Sequence, residues 1–252
     1  MQTAGSGQNL LSLHAGVADS RMWRSQMALD GYRSIVFDQR GFGKTPWVPD
    51  SYADWRDAVA VMDQLEVESA TVVGCSLGGG IAMHLALAAP ERVDGLVLIG
   101  AAARGWEPKG GWPDDPRFDE AEAAAKAGDL ARIVELDASI WLTGEGRTLD
   151  DIDPDLVNLF LEMDRIPATT EAERNEYAES FDPPTNGRLS DISLPTLVMV
   201  GAHDVPDLIE SANYLADRLS DHSVVVIKDS AHLPSFEQPE SFNAALLAFL
   251  NS

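Results

Sequence analysis

Short apolar runs recur along the chain, and longer stretches with helical spacing of apolar residues lie between them. The runs are LLSLH (10–14), SIVFD (34–38), ATVVGC (70–75), GLVLIG (95–100), TLVMVG (196–201) and SVVVIK (223–228). The intervening helical stretches are SYADWRDAVAVMDQLEV (51–67), LGGGIAMHLALAA (77–89), DLIESANYLADRL (207–219) and PESFNAALLAFL (239–250). The first follows a loop with two prolines, and the second stops at Pro90. Strand runs alternating with helices predict a parallel sheet with crossover helices.

Residues 104–190 break this rhythm. They hold no convincing strand and read as helical and acidic, in DEAEAAAKAGDLARIVELDASIWL, DPDLVNLFLEM and TTEAERNEYAESF. The alternation resumes at ISLPTLVMVG. The block predicts a helical lobe, 104–190, inserted into a core made of 1–103 and 191–252. Ligands in open parallel sheets bind beyond the carboxyl ends of the strands, so a lobe inserted there would roof the site.

Charge narrows the field of partners. With 41 acidic and 18 basic residues the formal charge is -23. A phosphate backbone is repelled by that field, which excludes nucleic acid as a partner. Anionic membrane surfaces are disfavoured for the same reason, and solubility is the simplest use of the charge. The single cysteine, Cys75, allows no intrachain disulfide and fits a reducing compartment. The N-terminal stretch has no basic region, and no run approaches the ~18 apolar residues of a spanning helix. A cytoplasmic protein, monomeric or homodimeric, is expected.

The chemistry centres on GCSLG (74–78), which places Ser76 between a predicted strand and a predicted helix. A serine on such a turn adopts strained backbone geometry. Side chains two residues away on either side would clash, which calls for glycine there. The turn lifts the hydroxyl to a helix N-terminus, where free N–H groups favour developing negative charge. Ser76 is the expected nucleophile, with the Leu77 N–H as one oxyanion donor.

A serine hydroxyl needs a base to take its proton. Of the five histidines, His84 sits in an apolar helix and His222 in an acidic turn before a strand. His203 follows a strand end in GAHDVPD, and His232 follows the last strand end in DSAHLPSF. His232 is the best base. A carboxylate must orient it. Asp204 leads because it too lies just past a strand end. Its rivals are Asp207, near a helix start, and Asp229, a loop residue. The order Ser76, Asp204, His232 is that of a known hydrolase architecture. A second oxyanion donor is expected from the loop LHAGVADSRMW (13–23). The Gly16 N–H is favoured, with Ala15 or Val17 as alternatives and His14 as a brace of the loop.

Four motifs, LHAG, DQRGFGKT (38–45), GCSLGG and the pair GAHD and SAH, occur in this order. Through them the chain resembles an α/β-hydrolase-fold enzyme, a mostly parallel sheet flanked by helices, in the subgroup with an inserted helical cap. Within that family it is similar to 3-oxoadipate enol-lactonase-like hydrolases, an impression to which IWLTGEGRTLDDIDPDL (140–156) contributes. Members usually open with a β-hairpin. Here about nine residues precede the first run, so the hairpin reads as missing or vestigial. The loop reads His-Ala-Gly where His-Gly is commoner. Glycines 78–80 resemble a stretch in cofactor-free haloperoxidases. Haloalkane dehalogenases and epoxide hydrolases of this fold carry aspartate where this chain has Ser76.

The expected reaction is cleavage of a small ester or lactone through an acyl-enzyme, with no metal or organic cofactor. Alternatives are C–C bond cleavage in a diketone-like acid, perhydrolysis, or a ligand-binding receptor built on a hydrolase pocket. Trp106, Trp112 and Trp141 are candidates to line the pocket or to pack the lobe on the core. Arg104, Lys109 and Arg147 are candidates to meet a substrate carboxylate, against the commoner surface role.

Overall fold

The computed structural model describes every residue except Pro113, Ser220 and Asp221, and the backbone alone of Ala172. Its strands are β1 (Gln2–Gly5), β2 (Gln8–Leu13), β3 (Tyr32–Val36), β4 (Ala70–Cys75), β5 (Val93–Ile99), β6 (Thr196–Gly201) and β7 (His222–Ile227). They form one sheet in the order β1-β3-β2-β4-β5-β6-β7. Strands β2 to β7 are parallel and fall within a residue or two of the six apolar runs.

The sequence reading missed β1. It lies antiparallel on β3, from Gln2 opposite Val36 to Gly5 opposite Arg33. Four residues of polar and small type carry no periodic signal, and main-chain pairing alone makes them a strand. The N-terminal element is therefore one short edge strand.

Successive side chains of a strand point to opposite faces, and along β2 to β6 both faces are buried. Leu11, Leu13, Val72, Leu96, Leu98, Val198 and Val200 pack on one side. They meet Ala58 and Met62 of α1 (Asp54–Gln64), Ile81 and Leu85 of α2 (Leu77–Ala88), and Ala212 and Leu215 of α7 (Pro206–Ala216). Leu10, Val73, Val97, Ile99, Leu197 and Met199 face the other way, towards Trp23 and towards Phe242 and Leu246 of α9 (Pro239–Leu250). Burial on both faces explains why the runs are continuously apolar.

Between β5 and β6 lie α3 (Pro116–Ala127), α4 (Leu130–Asp137), α5 (Pro154–Asp164) and α6 (Pro167–Tyr177). Ala138, Leu142, Phe160 and Met163 of this segment join the same core as α9. Tyr52 pairs with Ala178 in an isolated bridge, closed by the Glu179 N–H donating to the Tyr52 carbonyl at 2.8 Å. Helix α4 runs into a widened turn at 138–142, closed by the Thr143 N–H on the Ala138 carbonyl five residues back at 3.0 Å. Among the described residues no helix is long and apolar enough to cross a membrane.

The chain leaves β2 for β3 on one side and returns to β4 on the other. Loops at this reversal diverge and leave a crevice beyond the strand ends. Residues 14–17 after β2 and Ser76 after β4 flank that crevice.

Candidate active site

Ser76 sits at φ 53°, the positive region that side chains avoid, at the start of α2. Its N–H donates to the Ile99 carbonyl at 2.8 Å, and its carbonyl accepts from the Gly79 and Gly80 N–H groups at 2.9 and 3.1 Å. The flanking glycines have a steric cause. A Cβ on Gly74 would lie 2.3 Å from the Gly78 oxygen, and one on Gly78 would lie 2.2 Å from the Leu13 oxygen. Leu77 is the first residue of α2, so the helix leaves its N–H without a partner.

The loop after β2 is held by His14, which is fully buried. Its Nε2 accepts from the Gln39 N–H at 3.0 Å, so Nδ1 carries the proton and donates to the Ala15 carbonyl at 2.8 Å. Burial lowers its pKa to about 4, which keeps the ring neutral. The Ala15 N–H is turned to the Met22 sulfur at 3.4 Å, away from any role as an oxyanion donor. Gly16 and Val17 line the cavity over Ser76.

His232 follows β7 and Asp204 follows β6. His232 Nδ1 lies 3.1 Å from both Asp204 oxygens, and both residues are about 1% exposed. The carboxylate accepts, so Nδ1 donates and Nε2 is left as an acceptor. Asp204 Oδ1 also accepts from the Val205 N–H at 2.9 Å. Of the rivals, Asp207 lies near enough to His232 to feel its charge, but the ring bonds Asp204. Asp207 lies in the first turn of α7, and the Asp229 carbonyl accepts from Arg147 and Gln238. The Cys75 thiol, next to Ser76, donates to the His232 carbonyl at 3.4 Å. Burial raises its pKa well above the usual thiol value, so it stays protonated.

Three features around His232 were not foreseen. Gly100, at φ 50°, packs so closely that a Cβ would meet His232 Nδ1 at 2.9 Å and Asp204 Oδ2 at 3.0 Å. The His232 N–H donates to the Trp141 carbonyl at 3.2 Å, and the Trp141 ring tilts over the imidazole with centroids 4.7 Å apart. Glu237 of α8 (Pro234–Glu237) accepts from the Ala231 and Leu233 N–H groups on either side of His232, at 2.9 and 3.3 Å.

A cavity of about 660 Å³ is lined by Ser76, Leu77, Gly16, Trp141, Arg104 and His232, among others. A second, of about 390 Å³, shares Ser76, Leu77, Arg104 and Trp141 and adds Trp106. Trp106 is 5% exposed and packs edge-on to Trp112 and against Tyr214, so it is core and cavity wall at once. Arg147 is not brought to Ser76. Its guanidinium donates to Glu237 at 2.7 Å and to the carbonyls of Leu142, Thr143 and Asp229, beside a different cavity. Lys109 also lies away from Ser76, with its N–H on Glu210.

Sequence reasoning overlooked Arg174 of α6, which read as one charge in an acidic helix. It is buried, lines the larger cavity, and lies over the Phe42 ring at 4.0 Å. Asp137 and Asp164 line the same cavity and share a side-chain hydrogen bond. Burial raises Asp137 to about 6 and Asp164 to about 9, with the charge of Glu171 adding to both and that of Asp137 adding to Asp164.

Comparison with known proteins places these features. A family model described as the alpha/beta hydrolase fold matches residues 8–239. 3-Oxoadipate enol-lactonase 2 of Acinetobacter baylyi is 28% identical over 242 residues, 91% of this chain and 83% of that protein. Carboxylesterase YbfK of Bacillus subtilis is 28% identical over 255 residues, 96% of this chain and 80% of that protein. A thermophilic esterase from Thermogutta terrifontis, solved with malate bound, superposes with a TM-score of 0.80 at 26% identity, covering 99% of this chain and 92% of the other.

Proposed function

The chain belongs to the α/β-hydrolase fold family, and on that footing we propose that it is a serine hydrolase of small carboxylic esters or lactones. The carrying observation is the His232–Asp204 pair at the wall of a cavity that also holds Ser76 at positive φ. The enol-lactonase and carboxylesterase relatives support the same substrate class.

In the proposed cycle His232 Nε2 takes the Ser76 proton as Oγ attacks the carbonyl carbon. The N–H groups of Gly16 and Leu77 hold the tetrahedral oxyanion, favoured because Ala15 is turned away. His232 returns the proton to the leaving alkoxide, and Asp204 steadies the imidazolium meanwhile. Water, deprotonated by the same imidazole, then releases the acid from Ser76. In a lactone the leaving alcohol and the acid are one molecule. The two cavities that share Ser76 offer room for the acyl and alcohol parts. Residues 104–190 act in this reading as the cap over them.

The test is a panel of short acyl esters and small lactones, run with the wild type and with Ser76→Ala. The variant is expected to lose about 10⁴–10⁶ in kcat. Equal rates for the two proteins on every member would defeat the ester and lactone reading, and C–C cleavage, perhydrolysis or ligand sensing would replace it.

A further inference from the structure

In the cavity that Ser76 lines, one buried and one half-buried carboxyl lack a protein counter-ion. Asp164, at the end of α5, is 1% exposed, and its Oδ2 has no hydrogen-bond partner. Asp137, at the end of α4, shares a hydrogen bond with it. Two carboxyls can share such a bond only when one proton lies between them. No salt bridge from any described Lys or Arg reaches either residue. Buried carboxylates are ordinarily paired, because the lost hydration must be replaced.

The charges facing the pair come from three elements. Arg174 and Glu171 of α6 lie close enough to act on it, with opposite signs. The Trp141 indole, from the widened turn after α4, lies beside Asp137 and favours its charged form. Asp54 of α1 also lines the cavity, where burial raises its pKa to about 6. With one shared proton the pair carries one negative charge, and Glu171 and Arg174 cancel each other. One unit of negative charge is left on the wall, together with an unused acceptor.

We propose that Asp137 and Asp164 form a subsite for a primary ammonium group, so that the substrate is an ester or lactone bearing a protonated amine. An ammonium brings three N–H donors and one positive charge. It satisfies Asp164 Oδ2 and takes the place of the shared proton, which leaves to solvent. A carboxylate in the same position would meet one net negative charge and a carboxyl oxygen with nothing to donate. Trp141 ties the subsite to the reaction centre, because it lies beside Asp137 and covers His232. The ester or lactone part of the proposal rests on the hydrolase reading, and the ammonium part does not.

Calorimetric titration with hexylammonium and, separately, 1-hexanol tests the subsite without requiring turnover. At pH 7 the wild type is expected to bind hexylammonium about tenfold more tightly than hexanol. Repeating the titration in two buffers of different ionisation enthalpy should reveal proton release on binding. Asp137→Asn and Asp164→Asn should each abolish the proton release, and the double variant should abolish the preference. Equal affinities, absence of proton release from the wild type, or a preference retained in the double variant would overturn the subsite. If a variant does not fold, the wild-type comparison and the proton count still decide. The second arm compares p-nitrophenyl 6-aminohexanoate with p-nitrophenyl heptanoate, expecting about tenfold higher kcat/KM for the first. Ammonium binding with proton release but no cleavage of either ester would sustain the subsite and remove the hydrolase reading.

Discussion

Gly100 carries no functional group, yet the imidazole and its carboxylate close over it. A methyl there would press on His232 Nδ1 and Asp204 Oδ2 and would sit on a backbone at φ 50°. Gly100→Ala is expected to lower kcat by about 10² through misplacement of the base. Thermal unfolding measured alongside separates that loss from a loss of fold, and an undiminished kcat would detach the pair from turnover. His14 makes a different demand. Its folded pKa of about 4 lies below the unfolded value of 6.5. The unfolded chain therefore binds more protons between those values. The contribution is full above pH 6.5 and is lost as the pH falls towards 4, at up to ~1.4 kcal/mol per pH unit. Urea unfolding at several pH values should show this slope, and it should be smaller in His14→Gln. The pairing of Asp204 with His232, beside a cavity that Ser76 lines, was legible because each of the three follows a strand end. Arg147 and Arg174 were not, because an arginine in an acidic helical stretch looks the same whether it ends in water or in a cavity wall.

Among the elements, β2 to β6 were readable because burial on both faces made each largely apolar, and β7 by its valine run although Val224 and Val226 are exposed. β1 has no such face and was not. The helices between β5 and β6 were readable as helices, but their docking was not. One attachment lies between Arg147, after the widened turn, and Glu237 of α8. The pair is buried, with side-chain exposures of 12% and 3%. Glu237 also receives the N–H groups on both sides of His232. Glu237→Ala leaves the Arg147 charge without its carboxylate and two buried N–H groups unanswered, for an expected loss of about 3–5 kcal/mol. Glu237→Gln keeps one acceptor and should lose less. Denaturant midpoints of the two variants check the order, and equal midpoints would make the charge irrelevant.

At the scale of the whole molecule, the formal charge of -23 sets a self-repulsion that compactness must overcome. Raising ionic strength from about 0.01 M to 0.15 M shortens the screening length from about 30 Å to 8 Å. The unfolding midpoint should rise over that range, and a midpoint indifferent to salt would mean that the charges are already well dispersed. Access to the cavity is constrained in another way. The His232 N–H donates to the Trp141 carbonyl, which ties the inner turn of the helical segment to the loop of His232. If residues 104–190 act as the proposed cap, swinging it away whole would break that bond. Moving α3 or α6 alone would keep it. A guest would slip in sideways past a resting histidine, and the doorway could widen by mutation without retuning the chemistry behind it.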